Sequence, residues 1–286
     1  MTTKSKERFE IDLLRDRRRF LTLIINRFEH IPSDFSERYR WIGEHAEWRA
    51  AGVLIPLFFR HTDTEREEQG EFVFKLIKRS SRVPQGGDIG GPGGMIEPLQ
   101  DGRRAHLIAW GIPPVLWGRP RKTVRKQGRE AFRHFLLFAA AALRESKEEV
   151  NLGPLNIRLL GALPTYSLRL FTRTIFPLVG YIRHPWAAVP NDEVEKIVDV
   201  PLSLFCDPSN YGMLRLAGEG DARNESPGFP CLLFSDKGTE EILWGATFTI
   251  IRSFFTNVLQ QDPVPETPLT IAERTLPRNY LTGDNS

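Results

Sequence analysis

The chain has 286 residues, of which 41% are apolar, and a formal net charge of +3 at neutral pH. A chain of this length can bury a sizeable core, and α/β folds reach this size as a single domain. No apolar run approaches the ~20 residues needed to cross a bilayer, and no apolar stretch follows the N-terminal charges as in a secretory signal, so we expect no membrane partner. The two cysteines, Cys206 and Cys231, exclude a disulfide framework and favour a reducing, cytoplasmic compartment.

Hydrophobic periodicity predicts helices and strands that are interleaved along the chain. An amphipathic helix is expected over residues 7–28, with Phe20, Leu21, Ile24, Ile25 and Phe28 on its apolar side. A last long helix is expected over residues 240–259. The apolar runs expected to form strands lie at about residues 51–59, 71–78, 157–163, 174–182 and 194–200. This succession indicates a layered α/β domain.

A glycine-rich loop follows the second of these strands. Six glycines occur among the nine residues from Gly86 to Gly94. Glycine adopts positive φ and lets the backbone approach a ligand closely, so such a loop can direct N–H groups or carbonyls toward phosphates and metals. Alone the pattern is weak, because most glycine-rich loops only turn the chain.

Three glutamates lie close together at the end of an apolar run that continues to Leu143. On a helix, Glu145 lies at i,i+3 from Glu148 and at i,i+4 from Glu149, so all three carboxylates share one side of a turn. A hard divalent cation such as Mg²⁺ or Mn²⁺ would relieve their repulsion. The alternative is a solvated helix face on which Arg144 pairs with Glu148.

Together, the loop and the glutamates resemble the Nudix box, G-x5-E-x7-R-E-U-x-E-E-x-G-U, in which U is aliphatic. Gly94 would open the box in this chain. The residues that would close it are Arg144, Glu145, Glu148, Glu149 and Leu152.

The chain departs from this box at three positions and in its length. Gln100 stands where the family has a glutamate, with Glu97 and Asp101 as nearby acidic replacements. Ser146 replaces the aliphatic residue, and Asn151, which tolerates the left-handed conformation of a helix C-cap, replaces the glycine. Between the two halves of the box lie 43 residues where the family has seven, so the box carries an insertion of about 36 residues.

Segments outside the box resemble the coenzyme A pyrophosphohydrolase branch of the family. Before the box, the chain has the Lys-Arg-Ser-Ser segment 78–81 and the Pro-Gly-Gly segment 92–94 of that branch. It has Gln85 in place of the branch's histidine and Gly91 in place of its phenylalanine. Further matches follow in order at residues 163–167, 176–180, 191–194, 200–202 and 242–247. The resemblance covers roughly residues 48–256.

This resemblance implies a Nudix-type α/β/α sandwich with a mixed β-sheet, together with an N-terminal helix and a basic, partly helical insertion. The expected divisions are an N-terminal helical segment at 1–47, a Nudix domain at 48–260 with the insertion at about 101–136, and a C-terminal tail at 261–286.

The resemblance also implies a metal-dependent hydrolase that cleaves the pyrophosphate linkage of a nucleoside-diphosphate derivative, with coenzyme A or acyl-CoA as the leading substrate. The groups expected to hold Mg²⁺ or Mn²⁺ are Glu145, Glu148, Glu149 and the carbonyl of Gly93. Glu145 would also assist the attacking water, and Arg144 would orient the glutamates. The candidate substrate-binding residues are Lys78, Arg79, Arg82, Gly94, Glu97 and Glu193.

Some residues outside the box have a second interpretation. Glu193 is the preferred further carboxylate for the metal, but the segment around it can equally be a plain turn. Tyr166, Arg169 and Arg173 follow a strand and are further substrate candidates, or they are ordinary loop residues.

The insertion at 101–136 concentrates positive charge, with nine basic and two acidic residues. It could be a lid that brings arginines to a polyphosphate. It could contact nucleic acid through basic residues beside Trp117. It could also be a solvated helical hairpin that packs on the domain or makes a homodimer contact. We favour the hairpin, then the lid, and nucleic acid least.

Two classes of function remain. One is an enzyme that acts on a small-molecule nucleotide diphosphate derivative. The other is a Nudix-fold module with weak catalysis that binds a nucleotide or nucleic acid, for which Gln100 and the insertion are the motivation. The enzyme is favoured because all four residues of the R-E and E-E pairs are present, namely Arg144, Glu145, Glu148 and Glu149.

Overall fold

The structure is a computed structural model that describes residues 12–61, 70–168, 171–217, 228–265, 270–277 and 279–283. Its α-helices are α1 (Arg17–Phe28), α2 (Phe35–Gly43), α3 (Pro98–Trp110), α4 (Gly118–Lys126), α5 (Arg129–Val150) and α6 (Gly245–Phe254), which continues as a π-helical turn at Phe255–Leu259. Within these described ranges, no helix combines the length and the apolar character needed to cross a membrane.

The strands form two sheets. They are β1 (Arg49–His61), β2 (Gly70–Arg79), β3 (Ile89–Gly90), β4 (Gly93–Met95), β5 (Ile157–Ala162), β6 (Tyr166–Leu168), β7 (Arg173–Ile182), β8 (Val194–Pro201), β9 (Tyr211–Ala217), β10 (Phe229–Asp236), β11 (Thr239–Leu243) and β12 (Thr270–Thr275). The eight-stranded sheet has the order β3-β2-β1-β7-β5, with β4 beside β1, β6 beside β7 and β8 beside β2. Only β1 and β7 run parallel among these described pairs, so this sheet is mixed. The four-stranded sheet has the order β11-β10-β9-β12.

Helices cover both faces of the eight-stranded sheet. In β1, Ile55 and Leu57 are buried in a core shared with α1 and α6, whereas Leu54 and Phe58 are buried in a core shared with α2 and α5. Successive side chains of a strand point to opposite faces, so a strand covered on both sides is apolar along its whole length. The predicted α/β/α architecture with a mixed sheet is therefore confirmed.

Helix α5 lies unusually close to β1. A Cβ on Gly52 would lie 2.5 Å from the carbonyl oxygen of Phe138, so only glycine fits there. The ring of the same Phe138 stacks on Phe176 of β7, with the ring centroids 3.6 Å apart. These contacts fix the axis of α5 on the sheet, and they bring its last turn beside β4.

Two helix predictions differ from the structure. The helix expected at 240–259 begins only at Gly245, which has φ 65°, because residues 239–243 form β11. A two-residue turn at Lys237 and Gly238, with φ of 51° and 82°, pairs this strand with β10. Such positive φ values are typical of a hairpin turn that the sequence analysis missed. The helix expected at 7–28 is interrupted at Asp16, whose backbone is extended, so residues 12–15 are helical and α1 begins at Arg17. Phe20, Ile24 and Phe28 of α1 are buried as expected, whereas Leu21 and Ile25 are only partly buried. Residues 7–11 lie outside the described residues.

Residues assigned to the expected C-terminal tail contact the domain. Strand β12 runs parallel to β9 in the four-stranded sheet. Arg274 and Tyr280 donate hydrogen bonds of 2.8 and 2.6 Å to the carboxylate of Asp88 in the glycine-rich loop. Trp244 donates a third through its indole N–H, at 3.2 Å. The described residues after 270 thus hold the loop in place.

Candidate metal and substrate site

The last turn of α5 carries the glutamates. Helix α5 ends at Asn151, which has φ 56° and donates its N–H to the carbonyl of Lys147, so the asparagine forms the expected left-handed C-cap. Ser146, at the aliphatic position of the box, is fully buried and donates its hydroxyl to the carbonyl of Ala142 at 2.6 Å. A buried hydroxyl satisfied in this way costs little, so the substitution is tolerated.

Arg144 connects the two halves of the box. Its Nε and Nη2 donate to the two carboxylate oxygens of Asp101, at 3.1 and 3.2 Å. Its Nη1 donates to Glu145 at 2.7 Å and to Glu148 at 3.2 Å. Nη2 also donates to the carbonyl of Met95 at 2.9 Å. Although burial opposes the charge of Arg144, these hydrogen bonds and acidic charges more than offset it and raise the pKa of the guanidinium.

Asp101 is the carboxylate that binds Arg144 most extensively. It is fully buried, and it also accepts the backbone N–H of Glu97 at 2.8 Å, at the first residue before α3. Glu97 lies 3.5 Å from Nη1 of Arg144, but its side chain is exposed. Gln100 donates its amide to Glu97 at 2.6 Å. The carboxylate missing at position 100 is therefore matched by Asp101, one residue further along.

Glycines of β4 let the glutamates approach the backbone. The N–H of Gly93 donates to Oε2 of Glu149 at 2.9 Å. At Gly94 an added Cβ would clash with the carboxylate of Glu145. Because glycine has no side chain, this glycine pair lets the carboxylates approach the backbone closely.

The carboxylates of this site are desolvated and repel each other. Burial raises the pKa of Glu149 to about 8, against the opposing hydrogen bond from Gly93 and with a further increase from the charges of Glu145 and Glu193. Burial likewise raises the pKa of Glu145, despite the neighbouring charge of Arg144. A bound cation would stabilise both anions.

The donor groups fit Mg²⁺ or Mn²⁺ by their chemistry. Carboxylates and a backbone carbonyl are the oxygen ligands that hard divalent cations prefer. In the part of the chain that the structure describes, no three acidic, histidine or cysteine side chains already converge as a metal cage. Instead, Arg144 binds Glu145 and Glu148. The site therefore suits a divalent cation in the type of its donor atoms and in its buried negative charge.

A cavity of about 840 Å³ lies against the same two glycines. We name it the aromatic cavity, because its walls include the rings of Tyr166, Phe171, Phe229, Trp244 and Tyr280. The glycine-rich loop, from Ile89 to Gly94, lines it on one side. Such apolar, concave spaces with a few polar groups are where small ligands bind. Gly93 and Gly94 therefore contact the glutamates and also line a space large enough for a nucleotide.

The basic residues predicted to bind substrate do not all lie at the same place in the structure. Arg79 lines the aromatic cavity. Lys78 is held by two carboxylates instead, Glu241 at 3.1 Å and Glu195 at 3.4 Å. Arg82 is exposed and lies 3.7 Å from Asp192. Of the arginines near position 80, Arg79 alone, among the described residues, lies on the cavity wall.

The candidates from the second half of the chain also lie in different places. The carboxylate of Glu193 is close enough to Glu145 and Glu149 for its charge to raise both of their pKa values. Tyr166 and Arg173 line the aromatic cavity, and Arg169 lies outside the described residues. The cavity walls formed by Trp244 and Tyr280 were not found from the sequence, because only the folded chain brings them to the loop.

The insertion is packed on the domain. Helix α3 lies along α5, and α4 contacts α1, α5 and β5. Arg119 lies 3.7 Å from Glu29 after α1, and Arg121 donates to the carbonyl of Ala109 at 2.5 Å. These are contacts of a helical hairpin, the interpretation favoured above, and the role of the insertion in function stays a prediction.

Comparisons with known proteins agree on one family. No family model matches the chain. The mouse peroxisomal coenzyme A diphosphatase NUDT7 is 36% identical over 82 residues, which are 28% of this chain and 34% of that protein. The Nudix hydrolase NudL of Citrobacter koseri is 28% identical over 229 residues, 77% of this chain and 90% of that protein.

A solved Nudix hydrolase from Alicyclobacillus acidocaldarius is 14% identical, with 54% of this chain and 79% of that chain covered and a TM-score of 0.36. The chain spans about a third of the length of the mouse enzyme, but it matches nearly all of the bacterial one. Both sequence matches are to Nudix hydrolases, and in this chain Arg144 joins the two halves of the segment that resembles the box of that family.

Proposed function

We propose that the protein is a metal-dependent pyrophosphohydrolase that cleaves the phosphoric anhydride of a nucleoside-diphosphate derivative. The observation that carries this proposal is the position of Glu145 and Glu149. Both are desolvated carboxylates that lie against Gly93 and Gly94, and the same glycines line the aromatic cavity. A diphosphate at the cavity mouth would therefore lie beside the carboxylates.

Glu145, Glu148, Glu149 and the carbonyl of Gly93 would hold Mg²⁺ or Mn²⁺. When bound, the cation neutralises charge on the phosphoryl oxygens and lowers the pKa of a bound water. Glu145 would take the proton of the attacking water as the new P–O bond forms and the anhydride P–O bond breaks. Arg144 keeps Glu145 and Glu148 oriented through its hydrogen bonds.

Coenzyme A or acyl-CoA is the leading substrate. The support is the match to a mouse coenzyme A diphosphatase and the segments on both sides of the box that resemble this branch. The cavity has apolar walls for the part of the substrate that is not phosphorylated. We also propose a cytoplasmic location, because the two cysteines of the sequence, Cys206 and Cys231, provide no disulfide framework that would favour an oxidising compartment.

The test is turnover of the purified full chain with Mg²⁺ or Mn²⁺ on coenzyme A, NADH, ADP-ribose and dinucleoside polyphosphates. We expect Glu149→Gln to lower kcat by about 10²-fold or more, because a metal ligand contributes several kcal/mol to the barrier. The matched control is Glu240→Gln, which makes the same change at an exposed residue of β11.

The proposal fails if the folded wild-type chain gives no metal-dependent turnover on any of these substrates. It also fails if Glu149→Gln and Glu240→Gln are equally active. Nucleotide binding without turnover would instead support a catalytically weak Nudix module.

A further inference from the structure

Within the described residues, the partly buried Arg173 has a buried Nε without a hydrogen-bond partner. Three buried side-chain nitrogens lack a hydrogen-bond partner in the described residues, and they belong to Arg104, Arg158 and Arg173. The guanidinium of Arg104 lies 3.6 Å from a carboxylate oxygen of Asp101. That of Arg158 lies over the ring of Trp117, 3.8 Å from its centroid. Among the residues that the structure describes, Arg173 makes neither kind of contact, and its Nε is the unpartnered atom.

Arg173 belongs to a group of like charges, which we call the arginine cluster (Arg49, Arg79 and Arg173). Arg173 begins β7 and pairs in register with Arg49 at the start of the parallel strand β1. Burial lowers the pKa of Arg173, and the charges of Arg79 and Arg49 lower it further. Across the described ranges, none of the three lies within 4.0 Å of a carboxylate oxygen, so the cluster makes no direct ion pair there.

Positive charge that is partly desolvated and has no carboxylate in direct contact destabilises a fold. A guanidinium kept in such a place is suited to binding a ligand anion, because its planar fork matches the oxygens of a phosphate. Arg79 uses its Nε for the carbonyl of Pro84, at 3.0 Å, which fixes its stem at the edge of the glycine-rich loop. The cluster is therefore a prepared site for an anion.

The arginine cluster meets the aromatic cavity on the side of the glutamates. Arg79 and Arg173 line the cavity together with Gly93 and Gly94. The charge of Arg79 also acts on Glu149, whose carboxylate accepts the N–H of Gly93. An anion bound by the two arginines would thus lie between the carboxylates and the aromatic walls.

We propose that Arg173, together with Arg79, binds a phosphoryl group of the diphosphate in the aromatic cavity. This inference rests on the proposed function, and it adds to it a binding residue outside the box. It also defines the substrate class. A suitable substrate has a doubly charged phosphate chain for the arginines and an adjoining planar or apolar group for rings such as Tyr166 and Trp244.

The experiment measures binding of inorganic pyrophosphate by calorimetry, with a chelator present so that no divalent metal contributes. We expect Arg173→Ala to weaken binding about tenfold or more, the usual effect of losing a hydrogen bond between charged groups. The matched control is Arg183→Ala, which removes the same charge from an exposed residue just beyond the other end of β7 and should bind as wild type does. Arg173→Met, which keeps the apolar stem, serves if the alanine variant does not fold.

Turnover gives a second readout. Arg173→Ala should raise KM for the substrate more than it lowers kcat, and Arg173→Lys should recover part of the loss. If Arg173→Ala binds pyrophosphate as tightly as Arg183→Ala, the anion site is wrong. It is also wrong if the wild-type chain does not bind pyrophosphate in chelator. Pyrophosphate binding that depends on Arg173, in a chain without turnover on any substrate, would support the anion site and overturn only the proposed hydrolysis.

Discussion

Two arginines near β4, the buried Arg144 and the partly buried Arg173, have opposite surroundings. Arg144 is bound by Asp101, Glu145 and Glu148 and by a backbone carbonyl. Arg173 has two arginines as charged neighbours, and within the described residues its Nε has no partner. The acidic environment raises the pKa of the first guanidinium, and the basic, desolvated environment lowers that of the second.

The difference separates an arginine that organises the protein from one that is available to a ligand. A guanidinium whose donors are used by neighbouring carboxylates stabilises a particular arrangement of those carboxylates. A guanidinium with an unused buried donor lowers stability until an anion binds. Substitutions at the two positions should therefore have different consequences, in stability for Arg144 and in binding for Arg173.

The largest effect is expected from Arg144→Ala. This change leaves the fully buried carboxylate of Asp101 without its charged partner, and breaking a buried pair in this way costs about 3–5 kcal/mol. The free energy of unfolding, measured by urea denaturation, should fall by that amount. Turnover should be lost as well, because Glu145 and Glu148 lose their common donor.

Two variants test whether this cost is specific to Arg144. Arg103→Ala removes the same charge from an exposed position of α3, and it should change the free energy of unfolding by less than about 0.5 kcal/mol. Arg173→Ala should also be far less destabilising than Arg144→Ala. Equal losses at 144 and 173 would contradict the distinction between the two arginines.

A smaller effect is expected from Gly94→Ala, on the glutamate side of the comparison. The added Cβ would displace the carboxylate of Glu145. A displacement of about 1 Å in a catalytic group can lower turnover about 10²-fold, so we expect a loss of that order in kcat. Stability should change less than in Arg144→Ala, because the end of a glutamate side chain can move.

The control for this prediction is another glycine of the same region. A Cβ at Gly102 in α3 would meet no atom within 4 Å, and alanine is favoured over glycine in a helix by about 1 kcal/mol. Gly102→Ala should therefore keep wild-type turnover and lose no stability. Wild-type kcat in Gly94→Ala would show that the position of Glu145 in the structure does not matter for catalysis.

Local features of the site could be predicted from the sequence. The apolar run before Arg144 predicted α5, and Asn151 was expected to cap it because asparagine adopts the left-handed conformation with little strain. The mixed sheet was expected because the predicted strands resemble those of the Nudix family. The Lys237–Gly238 turn was readable too, but residues 240–243 were assigned to the following helix, and that was wrong.

Features that depend on the folded chain could not be predicted. The choice between Glu97 and Asp101 depends on where α3 begins, and with Glu97 as the residue before the helix, Asp101 accepts its backbone N–H and turns toward Arg144. The cavity wall joins Asp88 to Tyr280, which are 192 residues apart in sequence. No periodicity or spacing carries information about such contacts.

The smallest effect is expected from Gln100→Glu, which restores the residue of the family's box. Arg144 already donates two hydrogen bonds to Asp101, so it has no N–H group left to donate to a carboxylate at position 100. It would instead replace the hydrogen bond from Gln100 to Glu97 with a like-charge contact, which costs about 0.2–0.5 kcal/mol at an exposed helix end. Turnover should stay within about twofold of wild type, and thermal unfolding should show only the small loss. A severalfold gain in kcat would mean that Asp101 does not replace the missing glutamate, and that Arg144 is less completely bound than the structure indicates.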